Sequence, residues 1–480
     1  MPNRLPHELW TGLDVVNIIK GEGPIHWNAT GISIDTRTLQ PGDLFIALRG
    51  PKMNGHDFIH DAWALGACAV VVDDIGALST DPAYPTVAVP DTFQALTQLA
   101  VAARSRFQGT VLALTGSVGK TSVKDGLAHV LSAVGETSAS RSSLNNHLGV
   151  PLSLARLPNQ ARFGIFEVGM NHSGEITQLV ASIRPQIALI TQVSYQHGEF
   201  FSDLDEIVLA KSEIFSAPAP LMGIIPRDSP HYEALLRHGQ QTGHVTQWIT
   251  FGEHPESHIR LQSMEPGLMG QRRISITING TPWAYDWSLP GYHTVYNSLA
   301  IVTGAFALGA DMEKVMQAMN GITVSDGRGN LRMVGGIEVI DDSYNAAPAS
   351  MHAALKTFGA SKESATHNPD GKRYILLGQM RELGHHSHDC HRDLIPVIQA
   401  CHTDGVWLCG RDFIPFLTEI PNLLGYSDRA CDIIPDVVKT LVPGDSILIK
   451  GANSMKLSAL IPALEESAEQ GDGKNNEKIK

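Results

Sequence analysis

The stretch TVLALTGSVGKTSVKDGLAHVLSAV, residues 110–134, decides the fold. Its first six residues are β-rich and mostly apolar, its middle is a glycine loop, and its last part sets Val123, Leu127, Val130, Leu131 and Val134 on one face at helical spacing. Strand, glycine loop and helix in that order form a phosphate-binding layout. The free N–H groups of the first helical turn point at an anion, and the helix dipole favours it. The candidate cradle is Gly116, Ser117, Val118, Gly119, Lys120, Thr121 and Ser122. Lys120 is suited to neutralising terminal phosphates and the Thr121 hydroxyl to ligating Mg2+. Leu114 stands where GxxxxGK[ST] has its first glycine, so the pattern is incomplete while its mechanics survive. The bland reading is a glycine turn followed by an exposed lysine. The loop alone does not choose between a GTPase switch, a kinase and a ligase, although the lack of an NKxD-like segment disfavours the switch.

Outward from this unit, further buried-strand runs, FGIFEV (163–168) and QIALITQV (186–193), suit a parallel sheet covered on both faces. RRISITI (272–278) and PWAYDWSL (282–289) alternate instead, as antiparallel strands grafted onto that domain would. Before it, GISIDT, LFIAL, ACAVVV and TVAVP alternate with helical stretches, one of which aligns Phe93, Leu96, Ala100, Ala103 and Phe107. After it comes the polar, glycine-rich SDGRGN (325–330), a candidate linker, and then EVIDD, RYILLG, GVWLCG and SILIKG alternate with helices. The expected organisation is α/β in three domains. A small N-terminal α/β domain (1–108) and a C-terminal Rossmann-like domain (327–480) flank a central P-loop ATPase domain with a parallel sheet (109–326). SKESATHNPDG (361–371) reads as a surface loop and the tail beyond Glu469 as frayed.

A chain of 480 residues is too long for one core, which agrees with roughly three domains. The net charge of -13 opposes binding to nucleic acid or to anionic membrane surfaces. No apolar run reaches the ~18 residues of a membrane span and the N-terminus does not resemble a signal peptide, so a cytoplasmic location is expected. Five cysteines, odd in number and without a CxxC pair, point to core packing in a reducing compartment. HHSHDCH (385–391) matches no structural zinc spacing and reads as a polar helix start.

In DLDEIVLAKSEIF (203–215), Asp203 is a candidate N-cap, and Leu204, Ile207, Val208 and Phe215 define an apolar stripe with Lys211 in its middle. Such a lysine either snorkels to water or is put to use. His197 lies in a loop after a strand, where ligand groups gather in parallel sheets, and Glu167 ends a neighbouring strand in the place of a Walker-B-like carboxylate. Taken singly, Glu167 reads equally as a cap and His197 as a satisfied polar residue. With Thr121 they form a candidate magnesium constellation.

An ordered set of stretches now adds to this reading: DTRTLQPGDLFIAL and NGHDF; TGSVGKTSVK, SLNNHLGVP, FEVGMNHSGEI, QHGEFF, AKSEIF and GYHTVYNSLA; DDSYNAAP, LGQMRELG and IKGANSMKL. Spanning nearly the whole chain, the set resembles the Mur ligase family, and within it the branch that adds D-alanyl-D-alanine to UDP-N-acetylmuramoyl-tripeptide in peptidoglycan precursor synthesis, a step of cell wall biogenesis on which cell shape and division depend. The resemblance implies ATP-dependent amide-bond formation through an acyl-phosphate, with ATP, two Mg2+ ions and a carbamylated lysine at the site. Thr121 and Glu167 would hold one ion, and His197 and carbamylated Lys211 the other. Lys120, His197 and Lys211 would carry catalysis. Asn297, Arg328 and Asp342 would contact the nucleotide; Asp35, Thr36 and Arg37 the uridine diphosphate; Asn145 and Asn146 the muramyl-peptide. The expected partners are these two substrates, without nucleic acid or membrane, acting on a monomer.

The family pattern changes at Ala347, Gln379, Ala452, Asn453, Tyr292 and Thr294; the first four lie in the third domain, where the resemblance implies dipeptide contact. The rivals are a single-amino-acid-adding or folylpolyglutamate synthase-like ligase of the same superfamily, and a non-catalytic UDP-sugar-binding relative. No DNPR stretch of the diaminopimelate-adding relative occurs, and the retention of Lys120, Glu167, His197 and Lys211 argues against a decayed enzyme.

Overall fold

A computed structural model describes residues 8–74, 81, 83–195, 198–218, 220–266, 271–360 and 371–477, with side chains as far as Glu469. It contains three separate parallel-based sheets. The first is four-stranded, Gly31–Ser33, Asp43–Ile46, Ala69–Val72 and Thr86–Ala88 in spatial order, with every pair parallel. The strands are short and fully apolar in their interiors because helices cover them. The covering helix Thr92–Arg106 buries Ala95, Leu96, Leu99, Ala100 and Ala103. Phe93, expected on that face, is 40% exposed, because the buried face centres on Thr92, Ala95, Leu96, Leu99 and Ala103 and, at 100° per residue, Phe93 falls at its edge.

The central sheet has nine strands. Thr110–Thr115 lies between Ile187–Ile190 and Phe163–Glu167, all parallel, with Thr137–Ala139 at one edge. In the other direction follow Leu221–Pro226 and Val245–Gly252, then Ile259–Pro266, Arg272–Ile278 and Thr281–Trp287, with Arg272–Ile278 antiparallel to the strand on either side of it. The alternating segments therefore extend this sheet instead of forming a body of their own. Helix Lys120–Ser132 packs on one face through Val123, Leu127, Val130 and Leu131, all fully buried. Burying each such side chain contributes about 1.5–3 kcal/mol. Helix Leu204–Ser212 starts on Asp203, whose carboxylate accepts the Glu206 N–H at 2.9 Å, and it continues as a 3-10 turn over Glu213–Ser216 that holds Phe215.

Ser325–Gly329 carries no regular element, and Asn330–Val334 already forms a strand of the third sheet. That sheet is ordered Asn330–Val334, Ile337–Asp342, Ser446–Lys450, Arg373–Gly378, Gly405–Cys409, Leu423–Ser427, antiparallel only at the first pair. The C-terminal tail, expected to fray beyond Glu469, instead continues helix Leu460–Glu477. Most of the surface loop expected at 361–371 lies outside the described residues. Cys401 and Cys409 are buried as expected, whereas Cys431 is exposed near the start of a surface helix, so core packing does not explain it. The histidine cluster forms a 3-10 turn (Gly384–His386) and the helix Ser387–Arg392, and among the described residues no group of three His, Cys, Asp or Glu side chains is placed to hold a metal. Nor is any described helix long and apolar enough to cross a membrane.

Candidate active site

The chain passes from Thr110–Thr115 to the strands on one side, Thr137–Ala139 and Phe163–Glu167, and then to Ile187–Ile190 on the other. This is a topological switch point, and the carboxyl ends of such strands leave a crevice. Gly116–Gly119 turns there into helix Lys120–Ser132. Gly119 has φ 84°, and a Cβ on it would stand 2.4 Å from Asn297 Oδ1, so only glycine lets the loop approach Asn297. The crevice opens into a cavity of about 980 Å³ whose far wall comes from the third sheet.

Ser117, Val118, Gly119, Lys120, Thr121 and Ser122 line one wall. Gly116 sits behind them, where its carbonyl accepts a hydrogen bond from Lys120 Nζ at 2.6 Å; Nζ also reaches the Ser117 carbonyl at 3.1 Å. Desolvation lowers the Lys120 pKa, opposed by the nearby Glu167 carboxylate, and Arg328 adds to the lowering. Register pairs Leu114 with Glu167, which brings that carboxylate to the helix start. Glu167 is 1% exposed; its Oε2 accepts from Thr121 Oγ1 at 2.8 Å and its Oε1 from Asn145 Nδ2 at 2.7 Å. Asn145 thus faces the carboxylate, while Asn146 Oδ1 accepts the Leu148 and Gly149 N–H groups (3.2 and 2.9 Å) as helix Gly149–Ala155 begins.

Lys211 lines the same cavity and is 1% exposed. Its pKa is pushed well below the ordinary lysine value, chiefly by desolvation and then by the like charge of Lys120. The snorkelling alternative is therefore excluded by burial. His197 lies outside the described residues.

From the linker, Arg328 donates to Ser143 Oγ at 3.0 Å and stacks its guanidinium over the Tyr344 ring, 4.3 Å from the centroid. Asn297, on helix Tyr292–Ala307, lines the cavity, as does Asp342 at the end of strand Ile337–Asp342. Asp342 Oδ2 accepts from Lys450 Nζ at 2.7 Å; desolvation pushes the carboxyl pKa up against the pull of that ammonium. Asp35, Thr36 and Arg37 are not part of this cavity. Asp35 caps the 3-10 turn Thr36–Thr38 beyond the first sheet and pairs with Arg37 at 2.6 Å, which lowers the Asp35 pKa.

Three family models align end to end with the sheets: "Mur ligase family, catalytic domain" at residues 28–104, "Mur ligase middle domain" at 114–305 and "Mur ligase, glutamate ligase domain" at 327–453. The UDP-N-acetylmuramoyl-tripeptide–D-alanyl-D-alanine ligase of Rickettsia prowazekii (strain Madrid E) is 31% identical over 439 residues, covering 90% of this chain and 95% of that protein. The chain belongs to the Mur ligase family.

A solved structure of MurF from Acinetobacter baumannii superposes on this Mur ligase with TM-score 0.79 at 27% identity, covering 96% of this chain and all of that one. The MurF ligase of Thermotoga maritima, solved in complex with ADP, shares the fold at TM-score 0.72 and 22% identity, over 92% of this chain and 98% of that one. The three-domain α/β architecture read from the sequence is thus that of this Mur ligase. Among the cavity residues that the sequence reading did not single out are Lys450, 1% exposed, and Ser143, although they fall within the quoted stretches IKGANSMKL and SLNNHLGVP.

Proposed function

We propose that this Mur ligase joins the amine of D-alanyl-D-alanine to the terminal carboxylate of UDP-N-acetylmuramoyl-tripeptide with ATP, as a cytoplasmic monomer in peptidoglycan precursor synthesis. Residues 1–108, 109–326 and 327–480 would serve as substrate, ATP and closing domains. One observation carries the reading: a single cavity has the phosphate loop on one wall and the Asp342–Lys450 pair of the third sheet on the other. Such a site holds a nucleotide between two domains and excludes water from a reactive intermediate when they meet.

The donor set fits magnesium. Glu167 is buried with the neutral donors Thr121 Oγ1 and Asn145 Nδ2 on its two oxygens, and a buried carboxylate of this kind favours a hard cation. In this reading Thr121 and Glu167 hold one ion, and His197 with carbamylated Lys211 a second. Lys211 suits carbamylation because its setting favours the neutral amine, the form that reacts with CO2. Bound Mg2+ supplies charge neutralisation on the phosphoryl group in transfer. Lys120 and the loop N–H groups orient the phosphates and stabilise the same charge. The peptide carboxylate oxygen bonds to the γ-phosphorus as ADP leaves. The dipeptide amine then attacks the acyl carbon, phosphate leaves with the C–O bond, and the amine loses its proton. Asn297, Arg328 and Asp342 position the nucleotide, Asn145 and Asn146 border the peptide, and Asp35, Thr36 and Arg37 reach the uridine diphosphate.

A hollow of about 220 Å³ adjoins the main cavity through Tyr344, Asn345 and Glu382, and is floored by Ala346, Ala347, Ala452 and Asn453 with Arg381 at its side. Its small walls and one cation suit a dipeptide of alanines with a free carboxylate. Phosphate release measured with UDP-muramyl-tripeptide, with and without D-alanyl-D-alanine, tests the assignment. Release is expected only with both substrates. Equal turnover with a free L-amino acid or diaminopimelate in place of the dipeptide would overturn it.

A further inference from the structure

Lys124 is fully buried, in helix Lys120–Ser132, one turn after Thr121 and on the same face. Nothing in the phosphate-loop chemistry requires a lysine there, and an apolar side chain would fill the space without desolvating an ammonium. Its Nζ donates to the Ser142 carbonyl at 2.5 Å and pairs with Asp125 Oδ1 at 3.1 Å. Ser142 holds φ 48°, a left-handed backbone that a non-glycine residue keeps only when its surroundings enforce it. The next residues face the site. Ser143 Oγ lies 3.4 Å from Thr121 Oγ1 and accepts from Arg328, and Asn145 donates to Glu167. Asp125 Oδ2 in turn accepts from Ser325 Oγ at 2.7 Å, at the head of the linker to the third sheet.

We propose that Lys124 is a positioning residue: by clamping the Ser142 carbonyl, and through Asp125 the linker, it sets Ser143 and Asn145 against the Thr121 hydroxyl and the Glu167 carboxylate, and so aligns the first cation site. The inference rests on the reading of Thr121 and Glu167 as cation ligands. It extends that reading to a second layer, whose loss in metal sites usually costs about 10–100-fold in metal affinity or activity.

Lys124→Met in the full chain keeps the stem and removes the ammonium. Mn2+ binding in the presence of a non-hydrolysable ATP analogue, followed by paramagnetic resonance of the free ion, is expected to weaken by roughly tenfold or more. Half-maximal activation by Mg2+ should move in parallel, and kcat should recover in part at high Mg2+. A purely structural lysine would lower the melting temperature and leave the ion affinity unchanged. A folded Lys124→Met with Mn2+ affinity and Mg2+ activation within about twofold of the parent overturns the proposal. If Lys124→Met does not fold, Ser143→Ala carries the test: it leaves the lysine in place, removes the contact to Thr121 and Arg328, and is expected to weaken Mn2+ binding in the same direction. Unchanged binding there overturns the proposal equally. Because Mn2+ binding needs neither peptide substrate, its outcome is independent of whether turnover requires D-alanyl-D-alanine.

Discussion

Replacing Lys211 by methionine should stabilise the ligand-free protein and disable it at once. The side chain is 1% exposed between Ile207, Val208 and Phe215, all fully buried, and both desolvation and Lys120 disfavour its ammonium. Methionine keeps a stem of similar length, fills the same space and removes the polar head. Burying an amine without full compensation costs about 1–3 kcal/mol, so the middle domain of Lys211→Met should gain up to that amount. The proposed carbamate is lost with the amine. One electrostatic stabiliser of the transferring phosphoryl group then disappears, and kcat should fall on the order of 10²–10³, or about 2.7–4 kcal/mol of transition-state stabilisation. KM for the UDP-substrate, bound elsewhere, should change little. Lys211→Arg should be no more active than Lys211→Met, since a guanidinium does not take up CO2, and it should melt lower because it returns a charge to the same interior. The assays are phosphate release at saturating substrates and thermal melting without ligand, in CO2-free buffer and with added bicarbonate. Near-normal kcat in Lys211→Arg without CO2, or a fall in melting temperature for Lys211→Met, would refute the reasoning.

Two other outcomes follow from the packing. Asp342→Ala leaves Lys450 buried with only the Asn345 carbonyl for a partner, so the third domain should lose on the order of 3 kcal/mol in denaturant titrations and KM for ATP should rise. For the cysteines, burial pushes Cys401 and Cys409 up to about 11 from 9.0, whereas Cys431 is exposed. A native-state thiol reagent at neutral pH should therefore label Cys431 first and these two only on unfolding. The same raised values mean that the unfolded chain releases those protons at lower pH than the native one, so their contribution to stability is complete below pH 9 and is lost as pH rises towards about 11. Labelling of Cys409 at the rate of Cys431 in folded protein would contradict the burial on which both statements depend.

The central fold was legible because its elements announce themselves locally. Residues 110–134 combine a change of hydrophobic period with a glycine loop between, and Asp203 caps its helix through a contact three residues away. Lys211 was recognisable as anomalous for the same reason, since helical periodicity alone puts it in an apolar stripe. What sequence could not supply was any pairing that depends on strand order. Glu167 meets Thr121 because strand Phe163–Glu167 docks beside Thr110–Thr115 and brings residues 46 positions apart to 2.8 Å. Lys450 reaches Asp342 across 108 residues because strands Ile337–Asp342 and Ser446–Lys450 are parallel neighbours. Phe93 went the other way: its spacing with Leu96 and Ala100 fits an apolar face, but only the docked helix shows that the buried face centres on Ala95, Leu96 and Leu99 and leaves Phe93 at its edge. Lys124 was not singled out, although it ends TGSVGKTSVK and shares helical spacing with Leu127 and Leu131, because a lysine on a helix reads as solvated until tertiary structure closes around it and brings the Ser142 carbonyl within reach. Local periodicity and capping are written in neighbouring residues. Desolvation and long-range hydrogen bonds exist only once distant strands have packed, and they turned a set of compatible side chains into a site.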